Sequence, residues 1–493
     1  MSPELSDFRQ RIADLAIEQP HAWALWGDEL KLDYAELDAE IRLRQQVLKS
    51  LDVQVVALAL ENGPDMLIWD LAILFAGLTC LALPPFFSPA QRLHCLDQSR
   101  AGLVIAAPEY AAELEQAGFQ LNDGFWVRSI EQPSVLPAGT AKLTFTSGTT
   151  GTPKGVCLSA ESVLSVAREL YRASESQRLE HHLSLLPLAI LLENVGCYAA
   201  LYAGAMLSLP TQRTLGIQGA SGVDMPRLLS TLGTRRPQSM ILVPQLLLVL
   251  VSACELGAFD SAQLRFVAVG GAKVSRDLLR RAEAAGIAVY EGYGLSECAS
   301  VVALNRPGAN RPGSVGKPLP HVQIRLADDG EVLIAGAGML GYLGDDNAVP
   351  EWWPSGDLGE FDADGYLYLN GRKKHQFVTS YGRNVNPEWV EAELTQRGQI
   401  GQAFVYGEAR AHNHALLWPL RAETTDSQIA DAINQANQAL PDYAQVHGWT
   451  RLEEPFSTHN GMATANGRPK REAILAHYRH HFIEPKQAED LQS

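Results

Sequence analysis

The sequence lacks an excess of positive charge. Lys and Arg number 40 against 56 Asp and Glu, which gives a formal net charge of −16. A nucleic-acid-binding surface needs a basic face, so this balance argues against a nucleic-acid partner. It leaves small anionic substrates open, because those require only a few local cations.

Paired cysteines and long apolar runs are also missing. Six cysteines are scattered without a C-x-x-C pair, which favours buried thiols in a reducing compartment over disulfides or a metal site. The most apolar stretches, 66–84 and 240–254, are interrupted by Asp70 and by Pro244 and Gln245. They are too short or too broken for a membrane span, and the charged N-terminus is unlike a secretory signal. We therefore expect a soluble, cytoplasmic protein with no integral membrane span.

Length and patterning predict the fold class. A chain of 493 residues, 46% hydrophobic, has room for more than one domain. The strand–helix–strand pattern at 54–83 recurs along the first half and predicts parallel α/β sheets. Short strands after Ser314 predict a small antiparallel β subdomain, and fresh patterns beyond Gly371 predict a small α+β C-terminal domain. We place the boundary between residues 1–373 and 374–493.

The stretch from Leu143 to Val156, LTFTSGTTGTPKGV, is the strongest single signal. Small residues let consecutive backbone N–H groups turn inward on an anion, and hydroxyls and a Lys add donors. The spacing is not that of a Walker loop. A flexible surface linker is the alternative, but strand-like residues flank the stretch on both sides. The candidate phosphate ligands are Thr146, Ser147, Gly148, Thr149, Thr150 and Gly151, with Lys154 as a candidate catalytic cation.

This loop resembles the phosphate-loop signature of the adenylate-forming, or AMP-binding, superfamily. That superfamily includes acyl- and aryl-CoA synthetases, nonribosomal peptide adenylation domains and firefly luciferase. Further motifs that match the family follow in the family's order, so the resemblance covers roughly residues 20 to 475. It implies an N-terminal domain that binds ATP and the acyl substrate, and a small mobile C-terminal lid that rotates about a hinge at Lys374.

The motif YEGYGLSE, residues 290–297, is expected to be a strand ending at Tyr290 that runs into a glycine-containing loop. The resemblance implies that Tyr293 stacks on adenine and that Glu297 holds Mg²⁺. A single Glu suffices, since Mg²⁺ takes one or two carboxylates plus phosphate oxygens and water. The other nucleotide-binding positions that the resemblance implies here are Gly271, Ala272, Gly294 and Ser296.

The turn PSGDLG and the residues after it match the family's ribose site and hinge. Asp357 is implied to accept from both ribose hydroxyls, which its two oxygens suit, and Arg372 to contact ribose and phosphate. Lys374 matches the hinge, while His375 departs from the acidic residue often found there. The loop 382–388 is implied to approach the active site for the second half-reaction.

The tail departs from the family pattern, which places a catalytic Lys after a Gly. Aligning Gly467 with that Gly puts Arg468 in the Lys position, with Lys470 just beyond it. Arg keeps the charge but is a planar fork rather than a point donor. Three interpretations are open: Arg468 takes the role, Lys470 reaches in, or adenylation is weakened. We take Arg468 as the candidate catalytic residue.

The acyl side is apolar. Ile190 stands where many relatives carry His, and the neighbouring 191–195 and 299–303 are mostly apolar. No Asp lies within 183–198 to pair with a substrate ammonium, although Glu193 does. This favours an apolar acyl group over a free amino acid, although core packing alone explains many of these residues.

The resemblance therefore implies ATP-dependent activation of an apolar, fatty carboxylic acid as acyl-AMP, followed by transfer to the thiol of CoA. The cofactors it implies are ATP and Mg²⁺, with CoA as acceptor. Two rival acceptors remain open, the phosphopantetheine thiol of an acyl carrier protein and an amine. A further alternative is a nucleotide-binding protein with impaired catalysis.

Overall fold

The computed structural model describes residues 2–132, 135–146, 153–218, 222–464 and 467–479. Two large sheets dominate these residues, followed by a small antiparallel sheet and a small C-terminal α+β region. The predicted fold class is confirmed. The α-helices of the described residues are Pro3–Glu18, Tyr34–Lys49, Pro64–Ala76, Pro89–Ser99, Ala111–Gln116, Ala160–Ser174, Leu191–Ala203, Gln212–Leu215, Met225–Arg235, Pro244–Glu255, Arg276–Ala284, Pro387–Thr395, Asp426–Ala439 and Arg471–His477. Short 3₁₀ turns lie at Pro108–Tyr110, Glu175–Gln177, Ser296–Cys298 and Asp442–Ala444.

The first sheet is parallel in its centre and antiparallel at both edges. Its strands, in spatial order, are Lys317–Pro318, Ser300–Leu304, Val289–Leu295, Phe266–Val269, Ser239–Leu242, His181–Leu183, Met206–Ser208, Trp23–Trp26 and Lys31–Asp33. Helices cover both faces of such a sheet, and its central strands are accordingly buried and largely apolar, with His181, His182, Ser208 and Ser239 as buried polar exceptions.

The second sheet has the same plan, with parallel strands flanked by antiparallel ones. Its strands, in spatial order, are Gly341–Tyr342, Lys154–Ser159, Thr140–Thr146, Thr79–Ala82, Val55–Ala59, Leu103–Ala106, Phe125–Val127 and Gln120–Asn122. The largest hydrophobic core takes side chains from both sheets, such as Leu207 of the first and Leu158 of the second.

Smaller sheets follow. The antiparallel sheet contains Val322–Leu326, Glu331–Gly336, Trp353–Phe361 and Leu367–Arg372. The C-terminal sheet contains Ile400–Tyr406, Asn413–Pro419 and Val446–Arg451, and two-stranded ribbons pair Ile217–Gln218 with Gly222–Val223 and Phe377–Val378 with Asn384–Val385. Two hydrophobic clusters of this last region draw only on residues beyond 376.

A buried polar network joins the two halves of the main core. Asp70 projects from the apolar helix Pro64–Ala76 and is ion-paired with Lys142 of the second sheet. Asn194 Nδ2 donates to Asp70 Oδ2 at 2.9 Å, and Tyr198 donates to the same oxygen. Burial raises the pKa of Asp70, but the Lys142 charge and these donors outweigh burial and hold the pKa below its usual value.

Two expectations from the sequence, unpaired cysteines and the lack of a membrane span, can be compared with the described residues. All six cysteines are free, and all but Cys254 are buried. Across those ranges, no helix combines the length and apolarity that crossing a bilayer requires.

Candidate active site

The two strands that flank the predicted phosphate loop form a hairpin in the second sheet. Thr140–Thr146 and Lys154–Ser159 pair antiparallel, and the last pair is Thr146 with Lys154. Both ends of the loop are therefore side by side, as an anion-cradling turn requires. Ser147, Gly148, Thr149, Thr150 and Gly151 lie outside the described residues, so their contacts stay predictions.

Lys154 and Glu297 are connected by a tyrosine that sequence reasoning missed. The Lys154 Nζ lies 5.4 Å from the ring centroid of Tyr342, and the Tyr342 hydroxyl donates to Glu297 Oε1 at 2.9 Å. Burial and the Glu297 charge raise the pKa of Tyr342, so its hydroxyl remains a donor at neutral pH. The surrounding sequence GMLGYLG contains no motif that identifies Tyr342 as a functional residue, and its regularly spaced glycines are its only distinctive feature.

The YEGYGLSE strand is longer than expected. We predicted that it ends at Tyr290, which is wrong, because Val289–Leu295 continues as a strand through Tyr293 and Gly294. The antiparallel partner Ser300–Leu304 supplies its hydrogen bonds, with a register shift after Tyr293. Tyr293 is thereby fixed within an internal strand of the sheet rather than carried by a loop.

Gly294 lies where no side chain fits. A Cβ there would lie 1.6 Å from the carbonyl oxygen of Ser300, so the close backbone approach requires glycine. Ser296 begins the 3₁₀ turn Ser296–Cys298, which presents Glu297 partly exposed beside Tyr342. The strand Val289–Leu295 and this turn therefore fix the position of the predicted magnesium ligand.

Tyr293, Asp357 and Arg372 meet in one cluster, and their implied roles toward the nucleotide stay predictions. The Tyr293 hydroxyl donates to Asp357 Oδ2 at 2.6 Å, and Arg372 Nε is 2.8 Å from Asp357 Oδ1. Arg372 also donates to the Ser355 carbonyl at 2.9 Å. Burial raises the pKa of Asp357, and the Arg372 charge and the Tyr293 hydroxyl offset only part of that rise. Each carboxylate oxygen can accept a further donor, which leaves capacity for ribose hydroxyls.

Arg468 reaches this cluster from the tail. Its Nη2 donates to the carbonyl of Gly271 at 3.1 Å, and Gly271 has φ +81°, a backbone conformation that favours glycine. Desolvation and the Arg372 charge lower the pKa of Arg468, while Asp357 raises it. Gly271 and the following Ala272 are both exposed. The guanidinium therefore lies at Gly271 and within the electrostatic field of Asp357 and Arg372.

The other tail cations are placed differently. Arg471 is 2.7 Å from Glu391 and donates to the Val405 carbonyl at 2.6 Å, so it is engaged within the C-terminal region. Lys470 precedes the final helix, and its backbone N–H donates to Met462. The catalytic assignment of Arg468 stays a prediction, and this geometry favours it over Lys470.

The predicted hinge follows the last strand of the antiparallel sheet. Lys374 is exposed there, and His375 Nδ1 contacts a carboxylate oxygen of Glu388 in the helix that follows. A Cβ on Gly371, at φ +103°, would lie 2.2 Å from the Asn386 side chain. The loop 382–388 therefore packs directly against the strand end that precedes the hinge.

The segment that we predict to line the acyl side is mostly apolar, with Glu193 as the exception. Leu188, Ala189 and the strand Ser300–Leu304 are buried, and Ile190 is partly exposed. Glu193 is fully buried and accepts a 3.4 Å hydrogen bond from the Leu186 N–H. It is held inside the protein rather than available to a substrate ammonium.

The chain matches known families over most of its length. Residues 13–343 match the AMP-binding enzyme family, and residues 374–484 match the AMP-binding enzyme C-terminal domain. A long-chain-fatty-acid–CoA ligase, FadD15, of Mycobacterium bovis is 27% identical over 414 residues, covering 68% of this chain and 67% of that protein. A feruloyl-CoA synthase of an Amycolatopsis species is 30% identical over 411 residues, covering 76% and 80%.

Solved structures share the fold. The anthranilate CoA ligase AuaEII, in complex with anthranoyl-AMP, superimposes with a TM-score of 0.80 at 19% identity, covering 97% of this chain and 98% of that one. The family matches cover residues on both sides of the predicted domain boundary. The chain belongs to the AMP-binding enzyme family.

Proposed function

We propose that this enzyme joins an apolar carboxylic acid to CoA in two steps, consuming ATP and releasing AMP and pyrophosphate. The observation that carries the proposal is that Arg468 of the tail donates to Gly271 and is electrostatically coupled to Asp357 and Arg372. A cation from the C-terminal region close to residues that match a nucleotide site supports adenylation chemistry. The named activities of the long-chain-fatty-acid and feruloyl relatives support the same chemistry.

In the first step a carboxylate oxygen of the acid attacks the α-phosphorus of ATP, and the bond to pyrophosphate breaks. Asp357 accepts hydrogen bonds from the ribose and is held in place by Tyr293 and Arg372. Arg468 offers the positive charge that stabilises the α-phosphate as charge builds there. Lys154, beside the phosphate loop, neutralises the outer phosphates. Positioning and fixed charge therefore do most of the catalytic work.

The donor set at Glu297 fits a magnesium ion. It presents one partly exposed carboxylate, and Mg²⁺ typically takes one or two carboxylates and fills its other positions with phosphate oxygens and water. When bound, the ion supplies charge neutralisation to the departing pyrophosphate. Tyr342, which donates to one oxygen of Glu297, orients the carboxylate so that the other can face the ion.

In the second step the sulfur of CoA attacks the carbonyl carbon of the acyl-adenylate, AMP leaves and the thiol proton is released. We assign the movement between the steps to rotation about Lys374, which would bring the loop 382–388 toward the site. Closure over the mixed anhydride would exclude water and so limit its hydrolysis.

An apolar acid is the substrate class that the acyl-side residues favour. Glu193 is buried within the protein, and the strand Ser300–Leu304 is buried and mostly apolar. A free amino acid would bring an ammonium group that needs a carboxylate partner. Within the apolar acids we propose a fatty acid, with an aryl acid as the alternative that the feruloyl relative supports.

The test separates the two half-reactions. Wild type, Arg468→Ala and Lys470→Ala are assayed for ATP–pyrophosphate exchange with a ladder of fatty and aryl acids, and for CoA-dependent conversion of pre-formed acyl-AMP. We expect Arg468→Ala to lose about 10²–10³-fold in exchange while keeping the conversion of acyl-AMP. Lys470→Ala should retain both activities, and retained acyl-AMP conversion shows that the Arg468 variant is folded.

Three results would contradict parts of the proposal. Wild type that exchanges with no acid of the ladder would favour a catalytically impaired nucleotide-binding protein. Loss of exchange in Lys470→Ala but not in Arg468→Ala would reassign the cation. Acyl-AMP whose consumption is not accelerated by CoA would point to a carrier protein or an amine as acceptor.

A further inference from the structure

Three side chains that could bind a metal meet in the core away from the nucleotide cluster. His182 lies on the strand His181–Leu183, and Glu193 and Cys197 lie one turn apart on the helix Leu191–Ala203. All three are buried, and one ligand atom from each lies within 4.8 Å of the other two. Sequence motifs do not predict this cluster of three side chains, because one lies on a strand and two lie on a helix rather than in one compact motif.

Two of the three ligand atoms face each other without a partner. His182 Nε2 and Glu193 Oε1 are 3.7 Å apart, beyond hydrogen-bond distance, and their side chains are 7% and 0% exposed. Neither atom has a hydrogen-bond partner among the residues that the structure describes. A carboxylate oxygen buried in this way is costly unless a cation lies beside it.

Neighbouring residues hydrogen-bond to His182 and Glu193 in the way that outer-shell residues orient metal ligands. Ser239 Oγ is 2.9 Å from His182 Nδ1, and the Leu186 N–H donates to the second oxygen of Glu193. A Ser hydroxyl that accepts from Nδ1 leaves the Nε2 lone pair free to bind a metal. Ser184 lies beside the Cys197 thiol, and its hydroxyl donates to the Leu186 carbonyl at 3.3 Å.

We propose that His182, Glu193 and Cys197 bind one divalent transition-metal ion, with Zn²⁺ as the best match. Imidazole, thiolate and carboxylate are the zinc ligands of proteins. One thiolate and one carboxylate also neutralise the two charges of the ion, which suits a buried site. Tetrahedral bonds of about 2.0–2.3 Å require the three ligand atoms to move closer together, and a water or Ser184 could supply the fourth ligand.

The site would be structural rather than catalytic. It would tie the helix Leu191–Ala203 to the central strand of the first sheet. Because Glu193 also accepts from the Leu186 N–H, the ion would fix the start of the segment 186–190 that we assign to the acyl side. The inference does not depend on the proposed substrate.

A single proton shared by His182 and Glu193 is the competing explanation. It would need those two residues only, whereas a metal ion would also need Cys197. The full chain is therefore expressed in medium supplemented with zinc and, separately, with cobalt, because a buried site fills most readily as the protein folds. Metal content is measured by elemental analysis after gel filtration, and the cobalt form is examined by absorption spectroscopy.

We expect about one metal ion per chain, and the cobalt form should show a thiolate-to-cobalt charge-transfer band with the strong d–d bands of tetrahedral coordination. Cys197→Ser should abolish the charge-transfer band and lower metal content to below about one-tenth per chain. Cys95→Ser is the matched control, since Cys95 is also buried but lies in a different hydrophobic cluster. It should change neither reading.

The wild-type spectrum alone can overturn the proposal, even if the variants fold poorly. A cobalt-loaded wild type without a thiolate band excludes Cys197 as a ligand. Metal that survives in Cys197→Ser at wild-type content places the ion elsewhere on the protein. A chain with no bound metal from either medium leaves the shared proton as the explanation.

Discussion

At the scale of single residues, Tyr342 has the most direct consequence for the nucleotide site. Tyr342→Phe removes the hydroxyl that donates to Glu297 but keeps the ring beside Lys154. Since a hydrogen bond to a charged group contributes about 1.5–3 kcal/mol, we expect exchange activity at limiting Mg²⁺ to fall by about tenfold or more. The measurement is ATP–pyrophosphate exchange across a magnesium titration.

A surface pair provides the control for Tyr342. The Tyr171 hydroxyl donates to Glu175 Oε1 at 3.0 Å in an exposed contact at the end of the helix Ala160–Ser174, so Tyr171→Phe removes the same chemical group. It should leave the magnesium titration unchanged. An unchanged titration in Tyr342→Phe would mean that the tyrosine does not position Glu297.

Glu291, inside the YEGYGLSE strand, predicts a pH dependence of stability. Burial raises the pKa of Glu291 to about 7, against 4.5 for an ordinary Glu, although the Gly313 N–H donates to it. The folded protein therefore binds more protons than the unfolded chain between these values, and stability falls as pH rises through that window. Glu291→Gln should remove this fall and be more stable than wild type at pH 8 by up to about 3 kcal/mol.

Urea unfolding of wild type and Glu291→Gln between pH 5 and 8 measures the difference. Glu255→Gln is a control that should show no pH-dependent difference in this window, since the hydrogen bond from Arg281 lowers the pKa of Glu255 below its usual value. Its pair contributes above the unfolded pKa and is lost as pH falls. A stability difference for Glu291→Gln that does not change with pH would show that Glu291 is ionised in the folded state.

The motifs that follow the family's order singled out residues that the fold brings together, although their roles stay predictions. Tyr293, Asp357 and Arg372 lie far apart in the chain but meet within hydrogen-bond distance. Tyr342 was missed, because a tyrosine among glycines has many equally good explanations. Its role depends on the pairing of Gly341–Tyr342 with the phosphate-loop hairpin, which no local pattern encodes.

At the scale of elements, the network around Asp70 holds the phosphate-loop strand against the core helices. Asp70→Asn removes the charge that pairs with Lys142 and leaves a buried ammonium without its counter-ion. Breaking such a pair from one side costs about 3–5 kcal/mol, so we expect a large fall in the free energy of unfolding, measured with urea at pH 7. The double variant Asp70→Asn with Lys142→Met should show a smaller loss of unfolding free energy than the sum of the losses in the two single variants.

A sum of the two single effects would contradict that coupling. The pKa of Asp70 in the folded protein lies below its value in the unfolded chain. It therefore sets the pH range in which acid lowers the stability that the pair contributes. The contribution of the pair is therefore present above the unfolded pKa and is lost as pH falls through the folded pKa.

The elements themselves were largely predictable, but their ends were not. The helix at 64–76 was expected from its apolar pattern, and Asp70 was noticed only as an interruption of that pattern. The strand expected to end at Tyr290 runs to Leu295, because a partner strand supplies hydrogen bonds that local sequence does not show.

At the scale of the whole molecule, the contact between Gly371 and Asn386 constrains the hinge region. Gly371→Ala would force a Cβ to within 2.2 Å of the Asn386 side chain at φ +103°. Both the crowding and the backbone strain should lower stability, by about 1–3 kcal/mol. They should also change the CoA-dependent half-reaction more than ATP–pyrophosphate exchange, if rotation about Lys374 separates the steps.

A thermodynamic cycle with Asn386→Ala tests the steric part. Asn386 also caps the helix Pro387–Thr395 through the Glu388 N–H, so the single change carries its own cost of about 1 kcal/mol. The double variant should be less destabilised than the sum, because the alanine at 386 removes the crowding. Simple additivity would show that the two residues do not interact.

The assembly of the molecule was only partly accessible from sequence. Alternating strands and helices indicated α/β sheets, and the change of pattern near Ser314 indicated the antiparallel sheet. The order of strands in the two large sheets was not predictable. It depends on contacts between distant segments, such as the pairing of Trp23–Trp26 with Met206–Ser208.

The positions of the six cysteines allow local opening of the protein to be measured without an added probe. Only Cys254 is partly exposed, and the other five are buried in several different hydrophobic clusters. An alkylating reagent should therefore label one thiol promptly and the others only as their surroundings open. Mass spectrometry of the labelled chain would then rank the regions by their rates of opening. A substrate that stabilises a region should slow the alkylation of the cysteine in that region.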